Sequence, residues 1–358
     1  MKVEFFVTGS EQDCGIATYT TTLENALSVE YARTPLKLRS LDVFHYVVQS
    51  VRAGLTDADV VHVQHEYDIY GPKSVASWLV FPLLWLLTTL RGRPLVVTFH
   101  SAWGEETVAP PVESVKWAYL WLNNRLLTAV TDHAIFLSED TREVFERTAP
   151  LSSVEVLPHG VPTDLYPMPQ ADAKRELGVS PNRPLVAEPG FVRPQKGYHL
   201  FVDVAERVDD VTFLVGGGIH EGTYEDYLAD LRERCGDRVG ITGVLDDEAF
   251  HALFNAMDVA LLPYETVTQS GILNWCLAYE VPVVGTDVEQ FADLRDDHGF
   301  PVVFPQDDPD AGAVAVRELL DDPTPVLETM RRYRDQHGMD AVASAHADLY
   351  RSLVGARG

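Results

Sequence analysis

Residues 189–197, PGFVRPQKG, decide how the rest of this chain is read. A short apolar run, PLVAE (184–188), leads into them and an amphipathic run (198–208) follows. That succession reads as a strand, a glycine turn carrying two cations, and a helix. Gly190 lets the backbone turn tightly. Arg193 and Lys196 stand beside a helix N-terminus, whose free N–H groups already favour anions. A diphosphate can be held this way without a metal. The same residues also fit a solvated turn with two ordinary cations.

The surrounding pattern favours the first reading. Apolar runs bounded by turns recur at 3–7, 60–63, 95–99, 133–137 and 154–157, separated by longer helical patterns such as 17–27 and 114–127. Strands alternating with helices imply parallel strands in a doubly wound sheet. After Pro158 the pattern restarts, with runs at 185–188, 211–215, 239–242, 259–262, 281–285 and 301–304. Two successive α/β units therefore fit better than one large sheet. Residues 159–170, HGVPTDLYPMPQ, carry three prolines and little periodicity and read as the linker. The expected division is 1–160, then 161–335, with a last segment, 336–358, helical and packing back toward the first domain. The amphipathic run at 326–354 is long enough for that return. In paired α/β domains ligands sit beyond the carboxyl ends of the strands, here expected in a cleft that the two domains face.

Composition narrows the function. The chain has 358 residues, 46% of them apolar, enough for two domains with real cores. There are 28 basic residues, only six of them lysines, against 54 acidic ones, a net charge of -26. A high acid load with few lysines fits a protein living in concentrated salt, where the acidic surface is screened and stays hydrated. No basic stripe is visible, which argues against strong nucleic-acid binding. Three cysteines, Cys14, Cys235 and Cys276, match no disulfide or metal spacing and point to a reducing cytoplasm. The first residues read directly as a core strand, not as a secretory leader.

One stretch has a second reading. VASWLVFPLLWLLTTL (75–90) is shorter than the roughly 20 residues that span a bilayer and is interrupted by Pro82. It fits a buried crossover helix, or a peripheral contact with the inner face of a membrane through Trp78, Trp85 and the arginines that follow. The aromatic-rich run at 116–127 supports the second reading.

Several segments, in order, resemble the GT-B glycosyltransferases, in particular glycosyltransferase family 4. GSEQDCGIATYTTTL is similar to that family's first loop and helix, and DVVHVQHEYDIYG and PLVVTFHS to two of its strand ends. VEVLPHGVP matches its turn into the linker, and PGFVRPQKG occupies its phosphate-loop position. LVGGGIHE, VGITGVLDDEAFHALFNAMDVALLPYE and SGILNWCLAYEVPVVGTD resemble its nucleotide-site strands and helices. With the acid load, the chain looks like a haloarchaeal-type member. The resemblance implies two Rossmann-like domains, a nucleotide-sugar donor in the second, and a glycan or lipid-linked acceptor in the first. It also implies retention of anomeric configuration, no metal, and no cofactor, the nucleotide sugar being a substrate.

The site residues follow. Lys196 and Arg193 would supply fixed positive charge to the departing diphosphate, and the resemblance assigns His100, at a strand end, to the donor sugar and reaction centre. Donor contacts are expected from Gly15, Gly190, Gly217, Gly243, Glu265, Gln269, Ser270 and Gly271. His65 and Glu66, at another strand end, are the acceptor-side candidates. His159 reads as a turn residue. Gly15 and the glycines at 216–218 are equally read as plain turns.

The chain departs from the family pattern at two places. Two glutamates eight positions apart, one facing the sugar and one taking the ribose hydroxyls, fall here on Val267 and Trp275. Thr268, Gln269, Ser270 and Gly271 would then face the sugar, with Glu265 as a nearby carboxylate. Phe191 stands where many members carry arginine, and Arg193 compensates from two residues on. The lost carboxylates leave two alternatives open: a catalytically silent binding subunit, or a sugar-nucleotide epimerase of the same architecture. A metal site at Asp57 and Asp59 fits poorly because the pair lies before a strand in an acid-rich chain, and a dehydrogenase because no G-x-G-x-x-G follows the first strand.

Overall fold

A computed structural model describes residues 1–12, 14–38, 40–71, 74–105, 108, 112–219, 223–267 and 270–357. The chain forms two compact units, one of residues 1–160 and 339–358, the other of residues 161–338.

In the first unit the order is β1 (Lys2–Thr8), α1 (Gly15–Ala26), β2 (Glu30–Leu36), α2 (Val43–Leu55), β3 (Val60–His65), α3 (Ser77–Leu90), β4 (Leu95–Phe99), α4 (Glu113–Val130), β5 (His133–Phe136), α5 (Glu139–Glu146) and β6 (Val154–Val156). The second unit has α6 (Gln170–Glu176), β7 (Leu185–Pro189), α7 (Tyr198–Ala205), β8 (Thr212–Gly216), α8 (Glu225–Cys235), β9 (Val239–Ile241), α9 (Asp247–Ala256), β10 (Val259–Leu262), α10 (Gly271–Tyr279), β11 (Val283–Thr286), α11 (Glu289–His298), β12 (Val302–Phe304), α12 (Pro309–Asp321) and α13 (Thr324–His337). The last helix, α14 (Met339–Gly355), belongs to the first unit.

Each unit is built on a parallel six-stranded sheet, ordered β2-β1-β3-β4-β5-β6 in the first and β12-β11-β10-β7-β8-β9 in the second. The central strands are apolar without alternation because helices cover both faces. Phe6, Val61, Val63 and Val97 pack toward α2, α3 and α4, while Val3, Phe5, Val7 and Val96 pack toward α1 and α14. In the second unit Val186, Phe213, Val215 and Leu261 pack with α7, α8 and α12 on one face, and Ala187, Ala260, Leu262 and Val283 with α9 and α10 on the other.

The strand order reverses between β1 and β3 in the first sheet and between β7 and β10 in the second. In open α/β sheets ligands bind beyond the carboxyl ends of strands at such reversals. The reversals place the ends of β1 and β3, and of β7 and β10, where the candidate residues cluster.

Two stretches take the following forms. The run at 326–354 holds two helices: α13 ends at His337, Gly338 is extended (φ -60, ψ 150), and α14 starts at Met339. The stretch at 75–90 is helical over Ser77–Leu90 despite Pro82, with Val80, Phe81, Leu84 and Thr88 buried and Leu79, Trp85, Leu86 and Leu90 exposed. Among the described residues no helix is long and apolar enough to cross a membrane.

Candidate active site

In the second unit the chain leaves β7 at Pro189 and folds back over the end of its own sheet. Gly190 adopts φ +110, a conformation side-chain-bearing residues rarely take. Its N–H donates to the Gly216 carbonyl at 3.0 Å and that of Val192 to the Gly218 carbonyl at 2.7 Å, so the loop is zipped onto the end of β8. A Cβ on Gly217 would meet the Gly190 carbonyl oxygen at 1.9 Å, and one on Gly197 the Pro263 carbonyl oxygen at 1.8 Å. These glycines are there because backbone packs on backbone.

A single 3-10 turn, Pro194–Lys196, follows, and α7 starts after Gly197. The ammonium of Lys196 donates to the Pro189 carbonyl at 3.0 Å and lies 5.3 Å above the ring of Tyr264. Burial lowers its pKa, and the carboxyl of Glu188 opposes that shift. Arg193 is exposed, and among the described residues its side chain makes no hydrogen bond or ion pair. The loop thus presents an anchored cation and an exposed one beside a helix N-terminus.

The other donor-side candidates lie nearby in the chain's folding. Glu265 is exposed, and its N–H donates to the Gln195 carbonyl at 2.8 Å, which ties the end of β10 to the loop after β7. Ser270 caps α10 by accepting from the Leu273 N–H at 3.1 Å. Gly271, the first residue of that helix, is exposed with open space where a side chain would be. Gly243 has φ +80 and open space likewise. Gln269 and Thr268 lie outside the described residues.

The position of the second family glutamate is filled structurally. Trp275 packs against Phe250, His251, Phe254 and Tyr279, with ring centroids 5.6, 5.4, 6.2 and 6.3 Å away. Val267 packs against the core on the same side.

In the first unit His100 follows β4. Its Nε2 pairs with Gln64 Oε1 at 2.7 Å, its N–H donates to the His65 carbonyl, and Tyr19 meets its ring edge-on at 5.2 Å. Tyr19 also contacts His159 at 4.6 Å. Burial holds His100 down to about 3, so the imidazole is neutral. Gly15, at the start of α1, is exposed with nothing near its missing Cβ.

Glu66 accepts from the Tyr67 N–H at 2.9 Å and from the Ser101 hydroxyl at 2.8 Å, and burial raises its pKa. Trp103 lies flat on Tyr67, with centroids 4.6 Å apart. His65 departs from expectation. It is 0% exposed, enclosed by Tyr67, Tyr70, Phe81 and Phe99, with no hydrogen-bond partner for either ring nitrogen among the described residues. Strand alternation sets its ring on the Val63 face of the sheet, against Tyr70 and Phe81. Sequence reading also passed over Glu188, Tyr19, Gln64 and Tyr264. A carboxylate closing an apolar strand run, as Glu188 does, was the one legible signal. Among the described residues no three His, Cys, Asp or Glu side chains converge as metal ligands.

Comparison with known proteins bears on both units. Residues 3–165 match the family model described as Glycosyltransferase Family 4, and residues 184–322 the one described as Glycosyl transferases group 1. The chain has the GT-B fold, and each of its units matches a glycosyltransferase family model. The chain is 29% identical over 263 residues to the 2-deoxystreptamine N-acetyl-D-glucosaminyltransferase of Streptomyces fradiae, covering 67% of the chain and 57% of that relative. It is 26% identical to the alpha-D-kanosaminyltransferase of Streptomyces kanamyceticus, covering 67% of the chain and 64% of the relative, so these matches span less than two thirds of either relative. Its fold is similar to that of sucrose-phosphate synthase from Thermosynechococcus elongatus (TM-score 0.76, 17% identity, 99% of this chain and 100% of that one). The Anabaena protein HepE in complex with UDP-glucose is similar too (TM-score 0.72, 15% identity, 98% and 100%).

Proposed function

We propose that this chain is a glycosyltransferase that moves a sugar from a nucleoside-diphosphate sugar onto a glycan or lipid-linked acceptor, with retention of configuration and no metal or other cofactor. The observation that carries the reading is Lys196, anchored on a glycine loop at the strand reversal of the second unit. As the glycosidic bond breaks, charge accumulates on the diphosphate. Lys196 and the N-terminus of α7 are preorganised to receive it, with Arg193 exposed beside them, which is the role a metal fills elsewhere. HepE, by its title, binds UDP-glucose, which supports a nucleotide-sugar donor.

His100 is the proposed partner of a sugar hydroxyl. With Nε2–H donated to Gln64, Nδ1 is left as an acceptor, and burial keeps the ring from charging. Glu66 and Trp103 supply a carboxylate and an aromatic face for an acceptor.

The names of the relatives point to several acceptor classes. Some name an aminocyclitol or a sugar or inositol phosphate, while those of Acholeplasma laidlawii and Streptococcus pneumoniae name diacylglycerol lipids. The outer side of α3 and α4 favours a lipid-linked acceptor. Leu79, Trp85, Leu86 and Leu90 on α3 and Val115, Trp121 and Leu122 on α4 are exposed. No acidic residue occurs between Asp68 and Glu105 in a chain that has 54 of them, while Arg91 and Arg93 close α3. An apolar, basic-rimmed surface, free of acid over α3, suits the face of an anionic bilayer. We place the enzyme there, on the cytoplasmic side, and read its acid load as adaptation to concentrated salt.

The deciding experiment is donor turnover in molar potassium chloride with UDP-, GDP-, ADP- and dTDP-sugars, followed by release of free nucleotide with and without a membrane-lipid acceptor. Release from one donor, lost in Lys196→Ala, supports the reading. Silence with lipid present, and no nucleotide binding, would favour a non-catalytic binding subunit.

A further inference from the structure

The strand that leads into the phosphate loop ends with a carboxyl group that has nothing to bind. Glu188 is 0% exposed, stands in register with Val215 of β8, and neither of its oxygens has a hydrogen-bond partner among the described residues. Alternation puts it on the Val186 face of the sheet, beneath α7. One residue on, the Pro189 carbonyl holds the ammonium of Lys196 at 3.0 Å. The other groups coupled to this pair are Arg193 from the loop, Tyr198 from α7, Tyr227 from α8, Tyr264 after β10 and Cys276 from α10. Burial raises the pKa of each of those tyrosines and of the cysteine, so they stay neutral. Burial likewise pushes Glu188 well above the usual carboxylate range, with Lys196 pulling against it. Lys196 is therefore the cation for which Glu188 and an incoming diphosphate compete.

We propose that Glu188 is a positioning residue that makes donor binding proton-linked. Protonated, it leaves the whole charge of Lys196 to the diphosphate. Ionised, it neutralises Lys196 from below and repels the ligand. Binding of a nucleoside diphosphate then drives a proton from solvent onto Glu188, because two anions beside one cation cannot both stay charged at low cost. The balance is one proton taken up per ligand bound in the pH range where free Glu188 is ionised. By linkage, affinity falls as pH rises through the pKa of free Glu188, by up to about tenfold per pH unit for one proton. An apolar residue there would hold Lys196 uncompensated at every pH. The inference rests on reading this loop as the diphosphate site.

Two measurements test it. Difference infrared spectroscopy of wild type minus Glu188→Gln should show the carbonyl stretch of a buried neutral carboxylic acid persisting above the usual carboxylate range, lost as pH is raised further with no ligand, and restored when diphosphate is added. A stretch that stays absent with diphosphate bound would overturn the proposal. Calorimetry with UDP, GDP and ADP, across roughly pH 6 to 9 and in buffers of different ionisation enthalpy, should show proton uptake and falling affinity in the wild type. Glu188→Gln should bind at least as tightly, without uptake and with a flat profile. A flat wild-type profile, or an unchanged slope in the variant, would overturn the linkage while leaving the donor reading intact. If none of the three diphosphates bound, the donor reading would fall and the linkage with it. Should Glu188→Gln fail to fold, the wild-type uptake and its pH slope still decide.

Discussion

Gly217 rests against Gly190 backbone to backbone, so that a Cβ on the first would lie 1.9 Å from the carbonyl oxygen of the second. Gly217→Ala must therefore push the phosphate loop off the end of β8. The expected cost is about 2–3 kcal/mol of stability, as for overpacking elsewhere, together with weakened nucleotide binding. Gly243→Ala is the control: its Cβ would meet open space, and only its φ of +80 is strained. That variant should lose about 1 kcal/mol or less. Urea unfolding of both variants checks the contrast, and equal losses would contradict it.

Lys196→Ala should lower donor turnover by on the order of 10² to 10³, the scale seen when one preorganised charge-stabilising group is removed. Arg193→Ala should cost less, because that side chain is exposed and unanchored. The comparison of kcat for the two variants on one donor is the readout. A larger effect at Arg193 would move the diphosphate outward along the loop.

Acid should unfold this protein through its buried histidines. Burial pushes His65 down to about 3 and His346 to about 4, from 6.5 in water. Between those values the unfolded chain binds protons that the folded chain does not. The stability tied to neutral rings is thus complete above about pH 6.5 and lost as pH falls toward 4 and then 3. Each ring adds a slope of about 1.4 kcal/mol per pH unit in that window. His65→Phe keeps the contacts with Tyr67, Tyr70, Phe81 and Phe99 and should make the slope shallower by about that amount. Unfolding free energies at a series of acid pH values would show it.

Restoring a family carboxylate at 275 should fail. Trp275→Glu would set a charge among Phe250, Phe254 and Tyr279 and leave their faces unpacked, an expected loss of about 3–5 kcal/mol. Trp275→Phe should lose about 1–2 kcal/mol. A thermal or urea midpoint for Trp275→Glu near wild type would show the aromatic cluster to be loose, and would reopen the position to a ribose-binding role.

Most strands were legible because both faces of each sheet are covered, which writes an unbroken apolar run into the sequence. The run at 3–7 lies inside β1 and that at 259–262 coincides with β10. The missing strand was β2, EYARTPL, an edge strand paired only with β1, where polar residues and Pro35 are tolerated. The turn after β7 was legible because Gly190 and Gly197 stand where the backbone takes positive φ. Strand parity was not: His65 shares the inward face of Val63, while Gln64, its neighbour, reaches His100. The break at Gly338 was also silent, since an isolated glycine is tolerated within a helical pattern and the stop is set by where the chain must go next.

That break has a consequence for synthesis. The face of the first sheet carrying Val3, Phe5 and Val96 is closed by Met339, Val342 and Tyr350 of α14, and the Tyr350 hydroxyl lies 2.6 Å from Nδ1 of His62. These residues are translated only after the entire second unit. On the ribosome, the domain begun first is finished last, and until then it must wait with one hydrophobic face bare. A fragment ending at residue 160 inherits that condition permanently, so the two halves of this enzyme can be separated cleanly only by a rearranged gene that joins 339–355 to the first.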